Sequence, residues 1–413
     1  SCWSQRGVIA ALRVADVSRL PRKSVALRLF LVGRMSAGGS AAPLETVGDG
    51  RFRLLDKLSD GGFSQVWRGV DNRSHALVAI KLEDYEDDVQ ALQLEDEALI
   101  LRELATPELP EGFPEVFYSG DEGHYHVMVM EMLGSPLSSL LDDPSMALGG
   151  IGQASLGVLA EQMLSRLAFL HSKGILHRDV KPENFVMGRG PKASHVFLVD
   201  FGLSRRYIEK GRHVPMRTGC SSVGTMRYAS INVLEGVLAS RRDDLEALGY
   251  VLVYLAQGYL PWSGLGPFSG DDDLRKARTL ILEKKKSVSV EALCDGLPVC
   301  LHWYLSEVRS LRYAEEPNYK RLMGYLRSMC SAGDVNLPWL EGLHGLVPLQ
   351  PWEAPKQPVL ESPPALVGSP LERLTAAICS GCFCQDAAGE KIVVDDRSHD
   401  SDWTSASESS IEP

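Results

Sequence analysis

The chain has 413 residues, 44% of them hydrophobic, with 43 Lys and Arg against 54 Asp and Glu for a net charge of −11. That length supports a large core and more than one compact region, while the acidic balance argues against general nucleic-acid binding, which needs a basic surface to offset phosphates. Eight cysteines, five of them scattered, are too sparse for a disulfide framework and fit a reducing compartment, and no apolar run of about eighteen residues reads as a membrane-spanning helix.

Residues 1–50 form an irregular basic extension, in which Arg6, Arg13, Arg19, Arg22, Lys23, Arg28 and Arg34 meet only Asp16 before Glu45. Two readings stand. One is a translated or disordered leader with Met35 as the working start; the other is an organelle-targeting segment, although its apolar run Val25–Val32 is short and broken by Arg28. From Arg51 short β-like runs follow, Phe52 to Leu58, Ser64 to Val70 and Leu77 to Leu82, separated by turn signals at Gly61-Gly62 and Asp71-Asn72. Three antiparallel strands are expected. Asp87 and Asp88 offer an N-terminal cap and Leu92, Leu99 and Leu104 mark an apolar face, which predicts a helix over 89–105 that Pro107 and Pro110 terminate.

Val116 to Ser119 and His126 to Met130 read as two more strands, and Gly134-Ser135-Pro136 as the link into a helical region. There Leu156, Leu159, Met163, Leu167 and Leu170 recur at spacings of three and four, with Gly174 placed to end the helix. A second helix over 243–257 is apolar almost all round, as a helix in the middle of a large lobe would be, which makes Asp244 a candidate buried carboxylate. Further helical patterns occupy 272–284, 288–294, 298–309 and 317–330. After Gly342 the chain turns Pro-rich and then Cys-, Ser- and acid-rich, a composition that does not favour packing.

The chemistry concentrates in His177-Arg178-Asp179-Val180-Lys181-Pro182-Glu183-Asn184-Phe185, followed sixteen residues after Asn184 by Asp200-Phe201-Gly202. An Asp near a substrate hydroxyl can take its proton, a Lys two positions on can offset phosphate charge, and an Asn and a later Asp can hold Mg²⁺. Ahead of them come a hairpin with a Gly-rich turn, Val78-Ala79-Ile80-Lys81 on the third strand, and a helical Glu. That order of parts is similar to a protein kinase.

Over about residues 52–335 the chain resembles more narrowly the casein kinase 1 family, with tau-tubulin kinases as the nearest relatives to confuse it with. Gly224-Thr225-Met226-Arg227-Tyr228-Ala229-Ser230-Ile231-Asn232 stands where most kinases carry Ala-Pro-Glu, and that Ser-Ile-Asn looks like the family's own. Ser240-Arg241-Arg242-Asp243-Asp244-Leu245-Glu246, continued by Leu260-Pro261-Trp262, is similar to its central helix and exit, and Val127 to Gly134 to its interlobe hinge. The resemblance implies a bilobal α+β protein kinase fold: a kinase domain over 51–340, with a β-rich N-lobe (51–133) carrying one long helix and a mainly helical C-lobe (134–340), followed by a 341–413 tail.

Carried over by position, the resemblance implies Asp179 as catalytic base, Lys181 as partner of the transferring phosphate, and Asn184 and Asp200 as Mg²⁺ ligands. Lys81 contacts the α- and β-phosphates of ATP, held by a helical Glu; Glu97 fits best, because Ile100 and Leu104 follow it at the right spacing, and Glu95 is the alternative. Adenine lies between Leu58, Val66 and Ala79 above and Val186 below, with hinge backbone near Glu131 and Leu133 reading its edge and Met130 as gatekeeper. Thr225 bonds near Asp179 and Lys181. The Gly-rich loop departs from the motif: Ser59 and Ser64 replace glycines and only the middle one, Gly61, is kept, so weaker ATP affinity is expected.

The family's preference for acidic or phosphorylated protein substrates has a counterpart in Arg205, Arg206, Lys210, Arg212, Arg217 and Arg227, against the plainer reading of a solvated loop. A further basic residue expected after the central helix falls on Leu274, with Arg275 and Lys276 adjacent. In the tail, Cys379, Cys382 and Cys384 are candidates for S-palmitoylation and a membrane tether, against metal binding or an ordinary disordered tail. Ser398 to Ser410 alternates Ser with acids, like a substrate of the kinase itself. The expected protein is a monomeric serine/threonine kinase of the cytoplasm or nucleus that binds no nucleic acid. The competing classes are a pseudokinase scaffold and a small-molecule phosphotransferase.

Overall fold

The computed structural model describes residues 44–60, 64–84, 93–142, 151–265 and 271–332. Gly61, the cap candidates Asp87 and Asp88, residues 1–43, and the tail with its cysteine cluster lie outside them. In chain order the first lobe contains β1 (Thr46–Val47), β2 (Phe52–Asp60), β3 (Gln65–Asp71), β4 (Leu77–Asp84), α1 (Gln93–Leu104), β5 (Val116–Glu122) and β6 (Tyr125–Glu131). The strands form one antiparallel sheet in the order β1-β2-β3-β4-β6-β5.

Side chains alternate across a strand, and β4 uses both faces. Val78, Ile80 and Leu82 turn to one side and join Phe52, Leu54, Trp67, Val127 and Val129 in a buried core. Ala79 and Lys81 turn to the other, where the register places Val66 and Met128 opposite Lys81 and Met130 opposite Ala79. One residue of slip would exchange the core for the site. Leu58 falls where the β2–β3 register shifts between Lys57 and Ser59, and it is exposed.

Helix α1 differs from its sequence reading in two ways. Its apolar face is Leu94, Ala98, Leu101 and Leu104, whereas Leu99 is 55% exposed. The reason is the period: Leu94, Leu101 and Leu104 keep one face of a 3.6-residue helix and Leu99 does not. At its described start, the Glu83 Oε2 carboxylate oxygen accepts the Leu94 N–H at 2.8 Å, a cap from the end of β4.

The second lobe contains α2 (Gln153–Ser172), β7 (Ile175–Leu176), β8 (Phe185–Met187), β9 (Val196–Leu198), β10 (Arg205–Arg206), β11 (Ile208–Glu209), β12 (Arg212–His213), α3 (Ile231–Leu234), α4 (Arg241–Gln257), α5 (Asp271–Ser287), α6 (Val290–Leu293), α7 (Val299–Ser310) and α8 (Tyr319–Arg327). Its core is the α2–α4 pair: Leu159, Met163, Leu164, Leu167 and Leu170 from α2 meet Leu245, Leu248, Leu252 and Leu255 from α4, all fully buried. At about 1.5–3 kcal/mol per buried side chain of this size, the pair is a rigid base. Gly174, at φ +75°, turns the chain out of α2 toward the His177 stretch. The whole is a bilobal α+β arrangement, β-rich first and mainly helical second. Among the described residues no helix is long and apolar enough to cross a membrane.

Candidate active site

The stretch after β7 is held by a carboxylate on the central helix. Asp244 of α4, 3% exposed, accepts the backbone N–H of His177 at 2.7 Å and of Arg178 at 2.8 Å. Its Oδ2 also accepts from His171 Nε2 at 3.0 Å, and the other ring nitrogen of His171 takes the Tyr319 hydroxyl at 2.7 Å. Burial works against ionisation of Asp244, but the histidine and these N–H groups prevail and hold its pKa below the ordinary carboxylate range. Burial also depresses the His171 pKa, which keeps that ring neutral. Arg178 has φ +69°, a conformation that costs a non-glycine residue roughly 1–2 kcal/mol. The Asp244 bonds on both sides of that peptide offset it.

With Arg178 turned this way, Asp179 faces the cleft floor, 6% exposed and fully engaged. Its Oδ1 accepts the Thr225 N–H at 2.8 Å and the Thr225 hydroxyl at 2.9 Å; its Oδ2 accepts from Lys181 Nζ at 2.5 Å. Asn184 donates its amide to the Asp179 carbonyl at 2.9 Å. His177 stays beneath, its Nε2 donating to the Val199 carbonyl at 3.1 Å and its ring packed edge-on to Phe201 at 5.3 Å.

From above comes Lys81. Its Nζ lies 2.6 Å from Glu97 Oε2 and 2.8 Å from Asp200 Oδ1. Burial opposes the ammonium charge, but the two carboxylates overcome it and raise its pKa. The Glu97 carboxyl is pushed above its usual range by burial and by Asp200, despite Lys81. Glu97 is buried on the apolar face of α1, while Glu95 is exposed. The sheet, α1 and the Asp200 turn are thus tied through one cation.

Phosphates and a divalent ion have suitable groups here. The Asn184 amide nitrogen is committed to Asp179, so its oxygen is left for a cation, and Asp200, with a side chain 42% exposed, has a second oxygen beyond the one on Lys81. Hard oxygen donors of this kind suit Mg²⁺ or a similar ion, which when bound would neutralise phosphate charge. Around this floor Ala79 and Leu133 are buried, and Val66, Met130, Glu131 and Val186 half-buried. Val186 on β8 bridges to Pro136, and the Gly134 N–H donates to the Met187 carbonyl at 2.7 Å, so the hinge is stitched to the lower wall. Lys192 Nζ, 2.6 Å from Glu131 Oε1, adds a strut.

The anion-recognition candidates lie farther out. Arg227 is exposed two residues beyond Thr225, its guanidinium 5.9 Å above the Tyr254 ring. Arg275 is exposed on α5. Arg206 is paired with Glu103 of α1.

Gly224 and Lys285 are two contributors that the sequence reading did not assign. Gly224 has φ +88°, and a Cβ there would sit 2.4 Å from the Arg178 carbonyl and 3.2 Å from Asp179 Oδ1. Gly224→Ala is therefore expected to displace Thr225 and lower kcat for phosphoryl transfer about 10²-fold, with ATP affinity unchanged in a binding titration. Lys285 is wholly buried within the charged run Lys284-Lys285-Lys286, which by composition reads as a solvated face. The signal was its spacing, since Ala277, Ile281 and Lys285 form one buried stripe on α5.

These positions bring a buried carboxylate, two lysines and two free oxygen donors together, with Lys81 and Glu97 from the first lobe and Asp179, Lys181, Asn184 and Asp200 from the second. The sequence model of the family described as "Protein kinase domain" matches residues 52–304, more than half of the chain and the whole of this site, and the chain belongs to the protein kinase family.

Proposed function

We propose that the chain is a casein kinase 1-like serine/threonine kinase, transferring the γ-phosphoryl group of Mg-ATP to protein hydroxyls that neighbour acidic or already phosphorylated residues. Membership of the family brings ATP as donor and a divalent metal ion with it. The observation that carries the finer reading is the double hold of Thr225 on Asp179 Oδ1, at 2.8 and 2.9 Å. It leaves Oδ2, shared with Lys181 at 2.5 Å, as the oxygen to meet a side-chain hydroxyl, and joins the base directly to the segment bearing Arg227. The exposed cation of Arg227 supports an acceptor with negative neighbours.

Peptide pairs test this. A Ser peptide with Asp or phosphoserine flanks is expected to be phosphorylated at least about 10-fold better than its Ala-flanked counterpart, a difference of about 1.4 kcal/mol. Arg227→Ala should shrink that ratio and leave the Ala-flanked peptide unchanged. Equal rates for both peptides, or labelled Tyr, would overturn the proposal. A scaffold reading is favoured only by Ser59 and Ser64 in the Gly-rich loop. Monomeric action in the cytoplasm or nucleus, with Cys379, Cys382 and Cys384 as a membrane tether, completes the proposal; those cysteines lie outside the described residues.

A further inference from the structure

Between Thr225 and α3 the chain turns without a helix or strand: the Thr225 carbonyl accepts the Tyr228 and Ala229 N–H groups at 2.9 and 3.0 Å, and the Ser230 carbonyl the Leu234 N–H at 3.1 Å. The Met226, Arg227 and Ala229 carbonyls find their partners in two side chains from outside the segment. Lys285 Nζ donates to the Met226 carbonyl at 3.1 Å and to the Ala229 carbonyl at 2.5 Å, and Trp262 Nε1 donates to the Arg227 carbonyl between them at 2.8 Å. The same ammonium sits 4.6 Å from the Tyr250 ring centroid and 4.9 Å from that of Trp262, so two aromatic faces also meet its charge. Downstream, Ser230 donates to Asp243 at 2.6 Å and the Ile231 N–H to Glu246 at 3.3 Å.

This is a costly way to fill space. Among the described residues no carboxylate is ion-paired with Lys285, and Glu246 is occupied by the Tyr250 hydroxyl, the Ile231 N–H and Arg309 at 3.7 Å. Burial pulls the Lys285 pKa down to about 7, with Glu246 raising it and Arg309 lowering it further. An apolar residue in a buried charge's place is often neutral or stabilising. The cation is therefore better explained by what it holds than by what it adds to the core.

We infer that Lys285 is a positioning residue for the phosphate acceptor: by fixing the Met226 and Ala229 carbonyls, with Trp262 fixing Arg227 between them, it sets the segment that carries Thr225 and the acceptor-facing Arg227. The inference rests on the kinase reading above for its functional consequence. Its geometric part, the ordering of residues 225–230, does not.

The test uses the full chain and its Lys285→Met and Trp262→Phe variants, the second keeping a ring but losing the donor. With casein as acceptor, Lys285→Met is expected to raise the acceptor KM about 10-fold and Trp262→Phe about 3-fold. The KM for ATP and the slow hydrolysis of ATP by water should stay within twofold of the unsubstituted chain, and amide exchange over 225–230 should accelerate. A purely structural role would move both KM values and the melting temperature together, and that result overturns the inference. So does an unchanged acceptor KM in both variants. If Lys285→Met fails to fold, Trp262→Phe decides by the same KM split. If the unsubstituted chain transfers no phosphate, the kinase reading fails instead, and amide exchange alone decides: unaltered protection over 225–230 in the variants sinks the positioning role.

Discussion

Lys81→Met is expected to lower phosphoryl transfer at least about 10²-fold and to lower the melting temperature by roughly 6 °C, from about 3 kcal/mol of lost stability. The activity loss follows from removing the cation that joins Glu97 of α1 to Asp200, at 2.6 and 2.8 Å. The stability loss has a different origin. Glu97 has a side chain only 2% exposed, so without Lys81 its charge is buried with only the Phe201 N–H beside it and no cation, and it binds a proton instead. Its folded pKa, already raised by burial, rises further. The sign follows: a carboxyl with a raised folded pKa contributes stability below its unfolded value that is lost as pH rises through the folded one. The deficit of Lys81→Met should therefore widen as pH rises above the ordinary carboxylate range in thermal scans. Adding Glu97→Gln should recover much of the stability and none of the activity.

Asp244→Asn is the second large effect. An amide keeps the shape but supplies a single acceptor oxygen, and its NH₂ faces a backbone N–H that the carboxylate now binds. At least one of the His177 and Arg178 N–H groups, held at 2.7 and 2.8 Å, is left unpaired in the interior, and the His171 contact at 3.0 Å weakens. A loss of about 3 kcal/mol is expected, with kcat falling about 10²-fold because Arg178 no longer has support for its positive φ and Asp179 follows it. The Asp244 pKa is depressed in the fold, so its contribution is complete above the usual carboxylate value and is lost as pH falls through the depressed one. Acid titration of stability should be shallower in the variant. An unchanged melting temperature and kcat would remove Asp244 from this role.

Much of this site was legible because kinase chemistry is written in short, ordered runs. Asp179, Lys181, Asn184, Asp200 and Lys81 are each marked by their neighbours, and Glu97 by the apolar spacing after it. The strands and long helices were legible for an older reason, periodicity. What sequence could not show is set by tertiary contact. Leu99 is as apolar as Leu101, and only the packing of α1 says which one is buried. Strands β7, β10, β11 and β12 are two residues each, too short for any alternation to register. Gly224 looks like any loop glycine until the Arg178 carbonyl appears 2.4 Å from where its Cβ would be. Lys285 carries the opposite chemical label from its surroundings, and composition outweighed its place in the Ala277–Ile281 stripe.

The central claim, that Asp179 serves phosphoryl transfer from ATP to a protein hydroxyl, is tested most directly by incubating the full chain with Mg²⁺, γ-labelled ATP and casein, beside its Asp179→Asn variant. Label is expected on casein Ser and Thr from the unsubstituted chain, and about 10³-fold less from the variant, in keeping with loss of a general base. Nucleotide binding with no label transferred by the unsubstituted chain, or equal transfer by both, would contradict it.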